Sequence, residues 1–340
     1  MSGRFLVAPD SFKGTFDAAT VAGAIAAGIE AAGGTADRCP VADGGEGTMA
    51  VLMGALGGER RSVRVHDPLR RPIEASFALL GTGETAIVET AQASGLTLLA
   101  PGERDAERAD TYGTGELIAA AVDAGAKRVL LAVGGSATTD GGRGALEALR
   151  QSDAAFVLSP TYEGGRTNAE DPEVTIEVLC DVQTAYEDAA RVFAPQKGAS
   201  PEAVERLTER LDAFADELPR DPRGVPMTGA AGGLSGGLWA HGATLRPGAD
   251  FVLDALDFEA RLADADAVVS GEGRFDSQSL EGKIVGAIAA RCAAAGKPLH
   301  LVVGQDGLEG PAPASISSIR AASGLEEIGF AGGELSHLQP

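Results

Sequence analysis

Four glycine-dense stretches punctuate this chain, and each carries an acidic or hydroxyl residue between its glycines. They are Ala42-Asp43-Gly44-Gly45-Glu46-Gly47-Thr48, Gly134 to Gly142, Gly229 to Gly237, and Ser270-Gly271-Glu272-Gly273-Arg274-Phe275-Asp276. Backbone that must approach a phosphate closely needs glycine, and a phosphate held with a metal also needs carboxylates and hydroxyls within reach. The mixture implies a phosphoryl-handling site assembled from separate loops.

The segments between these loops read as α/β. Arg4 to Asp10 is a short apolar strand ending in a loop, and Ala18 to Ala32 has helical periodicity. Asp37 to Val41 followed by a helix over Thr48 to Leu56 repeats the unit. Ligands of open parallel sheets bind at the carboxyl ends of strands, so Asp10 to Lys13 and Asp43 to Thr48 are expected to face one cleft. From Arg61 to Ala91 apolar residues alternate, with turn signals at Asp67-Pro68 and Gly81-Thr82-Gly83, which predicts antiparallel strands and a domain boundary near residue 62. Helix over Gly115 to Ala124 and strand over Val129 to Val133 then resume the βα style. Residues 150–173 are polar and aperiodic and read as a surface connection. A strand follows over 174–182. Ser200-Pro201-Glu202 starts a helix, with serine as N-cap and proline at the first helical position, running to about Leu218. The last quarter alternates strand (Ala267 to Val269), helix (Gly282 to Ala295), strand (Leu299 to Val303) and strand (Ile316 to Ala321).

Composition narrows the function. The 340 residues carry a formal charge of −21, which disfavours nucleic acid and anionic lipid as partners. No basic leader with an apolar core opens the chain, and no run of about 18 apolar residues follows, so a cytoplasmic location without a membrane span is expected. Cys39, Cys180 and Cys292 lack CxxC spacing and read as buried, reduced thiols. His66, His241, His300 and His337 accompany no glycine-framed serine and have no metal-ligand spacing, which argues against serine hydrolysis and a histidine metal site. No strand is followed by G-x-G-x-x-G, so a dehydrogenase reading lacks its signature, and the G-x-x-x-x-G-K-[ST] phosphate loop is absent too.

The stretches Ala8-Pro9-Asp10-Ser11-Phe12-Lys13-Gly14, Ala42 to Thr48, Glu89 to Leu96, Thr111 to Ile118, Gly134 to Gly142, Cys180-Asp181-Val182, Phe193-Ala194-Pro195-Gln196-Lys197-Gly198-Ala199, Gly229 to Leu238 and Ser270 to Asp276 stand in one order along nearly the whole chain. In that order they resemble the bacterial glycerate kinase family of the glycerate 2-kinase type. The resemblance implies ATP-dependent conversion of D-glycerate to 2-phosphoglycerate, with Mg²⁺. It also implies two α/β domains, a Rossmann-like or flavodoxin-like parallel-sheet domain with a second mixed α/β domain inserted. The expected division is 1–62 plus 258–340 around an inserted 63–257, with the active site in the cleft between them and hinges near 62 and 260. The assembly is expected to be a monomer or a homodimer. A regulator that binds nucleotide or sugar phosphate without transfer is the alternative.

Phosphoryl transfer needs cations, N–H donors, metal ligands and a proton acceptor. Lys13, Asp43, Asp181 and Lys197 are the candidate catalytic residues, Asp43 or Asp181 serving as base. Gly135, Ser136, Ala137, Thr138, Gly141, Gly232 and Gly233 are candidates for holding the nucleotide phosphates. Ser11, Gln92, Ser94, Thr114 and Arg274 are candidates for the glycerate hydroxyls and carboxylate, and Asp43, Glu46, Asp140 and Glu272 for the metal. Lys283, opening a helix beyond Glu272, is a further cation to consider. Two stretches depart from the family pattern: Thr139 stands where asparagine is usual, and Gln183 to Asp188 replaces an asparagine-proline-leucine continuation.

Overall fold

A computed structural model describes residues 3–152, 154, 174–280 and 283–335. The expected surface connection over 150–173 therefore lies largely outside the described residues, as does His337. In chain order the strands are β1 (Arg4–Pro9), β2 (Thr35–Arg38), β3 (Gly58–His66), β4 (Pro72–Leu80), β5 (Thr85–Glu89), β6 (Arg128–Ala132), β7 (Thr175–Cys180), β8 (Thr244–Pro247), β9 (Ala267–Phe275), β10 (Leu299–Asp306) and β11 (Ser318–Ala321). They form two sheets, so the molecule is an α/β protein with one parallel-sheet unit and one mixed-sheet unit.

The parallel-sheet unit comprises residues 1–43, 50–52 and 249–340. Its strand order is β11-β10-β9-β1-β2, with every pairing parallel. Val7, Val269, Val302 and their neighbours are buried to a few percent or less, as strands covered on both faces require. From β1 the chain steps to β2 on one side, whereas β9 fills the other side after the long excursion through the second unit. That reversal opens a crevice at the carboxyl ends of β1 and β9, the usual ligand position in such sheets. The last residues of that pairing are Pro9 and Gly271, so Asp10 comes next after β1's end of it and Glu272 next along β9.

One helix of this unit, Leu325–Leu335, is absent from the sequence reading because Gly329, Gly332 and Gly333 lower its intrinsic helicity. They are there for packing. A Cβ on Gly28, in helix Ala18–Ala31, would stand 1.7 Å from the Gly329 carbonyl oxygen, and one on Gly332 would stand 2.5 Å from that of Ile25. Backbone-to-backbone contact of this kind leaves no room for side chains.

The mixed-sheet unit comprises residues 44–49 and 53–248. Its order is β3-β4-β5-β6-β7-β8, antiparallel from β3 to β5 and parallel from β5 to β8. The divisions thus fall between residues 43 and 53 and at 248/249, where the sequence reading placed them near 62 and 258. The shift has a simple cause: β3 begins at Gly58 and pairs with β4 along its whole length, so it cannot be split at 62. The paired residues Glu89, Ala132 and Leu179 lie near the carboxyl ends of β5, β6 and β7 and bring the segments that follow to one edge of the sheet. Cys39, Cys180 and Cys292 are all buried free thiols. No described helix is long and apolar enough to cross a membrane.

Candidate functional site

In the parallel-sheet unit the carboxyl edge opens into a cavity of about 480 Å³, whose lining includes Asp10, Ser11, Lys13, Asp43, Glu272, Arg274 and Lys283. The sequence reading selected all of these except Asp10 for a role. Packing of the loops fixes the arrangement: a Cβ on Gly273 would stand 3.2 Å from the Lys13 backbone nitrogen, and Asp10 N–H donates to Gly271 O at 2.8 Å.

The cavity is electrostatically crowded. Asp10 is 6 % exposed and Asp43 3 %. Burial, then the neighbouring Asp43 charge, push the Asp10 carboxyl up to about 7, against the Ser11 N–H that donates to it at 2.6 Å. Burial raises Glu272 to about 6, opposed by Ser279, Lys283 and Lys13. Its Oε1 is buried and makes no hydrogen bond. Lys13 Nζ stands 3.7 Å from Asp43 Oδ2 with 63 % of its side chain exposed, so it answers the carboxylates while remaining reachable. Arg274 is similarly exposed and pairs with Asp276 at 3.4 Å. Asp10 is the residue that sequence reasoning left without a role. Its signal was its place directly after an apolar strand.

In the mixed-sheet unit the first three glycine loops meet backbone to backbone. A Cβ on Gly134 would stand 2.7 Å from Gly45 Cα, and one on Gly232 would stand 2.0 Å from the Thr138 carbonyl oxygen. Gly237 and Gly233 press on Gly141 in the same way. Gly135, Gly141, Gly232 and Gly233 all have positive φ. The glycines of this cluster therefore serve loop-to-loop contact first. The expected cradle of N–H groups needs correction on the same ground: Ala137 N–H donates to Ser94 O, Gly141 N–H to Gly232 O and Gly142 N–H to Asp140. Those donors are already spent on the protein.

Side chains supply the polar chemistry instead. Lys197 is 2 % exposed, and its Nζ donates to Ser136 Oγ at 3.0 Å and to Thr138 O at 2.6 Å. Desolvation lowers its ammonium to about 7, with Asp140 opposing. The Thr90, Thr138 and Thr139 hydroxyls are buried and make no hydrogen bond. Asp181 follows β7 directly and is half-buried.

Several expected roles change. Asp140, proposed for the metal, accepts from Thr111 N and Oγ1, Gly142 N and Gly144 N at 2.8–3.1 Å, so its carboxylate organises the start of helix Arg143–Gln151. Four donors leave it little capacity for an ion. Glu46 is exposed and falls in the mixed-sheet unit, whereas Asp43 and Glu272 belong to the other. Ser94 and Thr114, proposed as substrate arms, are fully buried and hydrogen-bond one another at 2.7 Å. Gln92 hydrogen-bonds Glu89. Glu89 is a second residue missed from sequence. It is 3 % exposed and accepts from Gly47 N at 2.9 Å and Met49 N at 2.8 Å, capping helix Thr48–Leu56. Among the described residues no group of three or more His, Cys, Asp or Glu side chains is disposed to hold a metal ion.

Comparison with known proteins agrees over nearly the whole length. Residues 5–325 match the model of the glycerate kinase family. A glycerate kinase of Bacillus subtilis (strain 168) is 40 % identical over 302 residues, covering 82 % of this chain and 79 % of the relative. A glycerate 2-kinase of Escherichia coli (strain K12) is 38 % identical, covering 83 % and 80 %. A crystal structure from Salmonella typhimurium LT2, of a protein put forward as glycerate kinase 2, superposes with a TM-score of 0.79 at 34 % identity, covering 99 % and 98 %.

Proposed function

Because the chain belongs to the glycerate kinase family, we propose that it transfers the γ-phosphoryl group of ATP to the 2-hydroxyl of D-glycerate. The observation that carries the reading is the cavity itself, where the raised carboxyls of Asp10 and Glu272 stand with Asp43, Lys13 and Lys283. Carboxyls raised by burial, and in Asp10 also by the Asp43 and Glu272 charges, are stabilised by a cation, and Glu272 Oε1 has no partner to satisfy it. These residues fit Mg²⁺, which commonly binds through one or two carboxylates with substrate phosphates supplying further oxygens. Asp43 and Glu272 would hold it, and its charge would neutralise phosphate oxygens.

The remaining work falls to the chain. Lys13 and Lys283 bring ammonium charge to the phosphate oxygens, Ser11 and Arg274 offer donors to the acid, and Asp43 or Asp181 accepts the alcohol proton as the new O–P bond forms and the bond to the departing ADP oxygen breaks. Charge spread over the transferred group asks for positioned cations more than for a strong base. The test is to mix purified protein with ATP, Mg²⁺ and D-glycerate and follow ADP. Release that depends on glycerate supports the reading, and release no faster than without glycerate removes it.

A further inference from the structure

The second glycine loop presents an ammonium enclosed by protein. Lys197 carries three N–H donors when charged, and its two hydrogen bonds, to Ser136 Oγ and Thr138 O, account for two of them. The same loop holds the Thr138 hydroxyl, fully buried and without a hydrogen-bond partner. A buried hydroxyl with no partner loses solvation that nothing in the protein returns, and the same holds for an enclosed N–H. Groups of this kind are satisfied when an acceptor comes within their reach.

We propose that Lys197 with the hydroxyls of Ser136 and Thr138 forms an oxyanion seat, receiving a carboxylate or phosphate oxygen of the substrates, and that Lys197 takes a proton from solvent as the anion enters. The seat rests on the kinase reading for the identity of its anion. Burial brings the Lys197 ammonium down to about 7, so much of it is neutral in the empty protein above that pH. Of the charged groups on the surrounding elements, Asp140 favours the proton. Arg210, from helix Pro201–Ala215, is engaged with the Thr139 carbonyl, Arg104 turns its carbonyl toward Gly198, and Arg143 lies over the Phe214 ring. The Phe193 ring stands 6.0 Å from Nζ and adds no charge. An arriving anion adds the missing negative charge, and Nζ gains an N–H bond at the expense of buffer.

Calorimetry of the full chain at about pH 8, in two buffers of different ionisation enthalpy, tests this with D-glycerate and inorganic phosphate as probes. The seat predicts that at least one probe binds with uptake approaching one proton per site. Uptake with glycerate alone assigns a carboxylate, and uptake with phosphate assigns a phosphate group. Lys197→Met removes the uptake and weakens binding roughly tenfold or more, whereas Lys197→Arg, always charged, binds without uptake. A melting curve confirms that each variant is folded, and Thr138→Val, which keeps the lysine, gives a second weakened variant. Unchanged uptake in Lys197→Met, or binding of neither probe with uptake, overturns the proposal. Failure of the kinase reading is separate: it shows as absent ADP release while the proton uptake persists.

Discussion

A Cβ on Gly232 would stand 2.0 Å from the carbonyl oxygen of Thr138, the same oxygen that accepts from Lys197 Nζ at 2.6 Å. The third glycine loop therefore sets the position of the second at the point where the buried lysine is held. Gly232→Ala adds a methyl group to a residue at φ +66° and pushes that carbonyl away. The expected outcome is a fall in kcat/KM of about 100-fold, since displacement by an ångström costs roughly that much in a positioned site. A variant as active as the parent would show that the loop contact is incidental.

Asp10 carries a stability cost that depends on pH. Its carboxyl titrates near 7 when folded and near its ordinary value of 3.8 when unfolded. Between those values the folded state binds more protons, so stability falls as pH rises through the window. Asp10→Asn removes the charge and keeps an oxygen for the Ser11 N–H. Urea unfolding at about pH 8 is expected to find the variant more stable by on the order of 2–4 kcal/mol, with the difference vanishing toward about pH 4. Stabilisation that is equal at both pH values would contradict the assignment.

Lys13 gives the opposite pattern. Its side chain is mostly exposed and stands 3.7 Å from Asp43, whose own side chain is buried. Water around the ammonium screens the pairing, which contributes about 1 kcal/mol or less to folding. Lys13→Ala should leave the melting temperature nearly unchanged while lowering kcat/KM by roughly 100-fold or more, the usual effect of losing one charge on a transferred phosphoryl group. A loss of activity matched by a loss of stability would assign the lysine a structural role instead.

The contact between helices Ala18–Ala31 and Leu325–Leu335 makes a prediction away from the site. Gly28→Ala would bring its methyl to 1.7 Å from Gly329 O, which forces the helices apart. Overpacking of this kind costs about 1–3 kcal/mol, read as a lower urea midpoint. An unchanged midpoint would mean that the helices part without strain.

Much of the fold was legible because the residues involved follow periods set by backbone geometry. Helix Thr48–Leu56 has the expected bounds, and Ser200 caps Pro201–Ala215 through its side chain as its sequence position indicated. Elements whose residues answer to tertiary contact were not legible. Strand β2 is polar and short and lies over Thr35–Arg38 rather than Asp37 to Val41, helix Leu325–Leu335 is glycine-rich, and β8 over Thr244–Pro247 ends in proline. At the site, residue type pointed to Lys13, Asp43, Glu272 and Lys197, since each is a charged residue beside glycine or a strand end. Type could not separate Asp140, whose carboxylate is spent on four donors, from carboxylates that line a cavity. Nor could it show that Ser94 and Thr114 would satisfy each other. Those distinctions depend on which groups folding brings within hydrogen-bond distance.

The most direct measurement of the central claim is phosphorus NMR of the product formed from ATP, Mg²⁺ and D-glycerate, with proton coupling used to locate the ester. The account predicts one new phosphomonoester coupled to the single C2 proton, appearing in step with ADP. A resonance coupled to the two C3 protons would contradict transfer to the 2-hydroxyl, and no phosphomonoester at all would contradict the kinase.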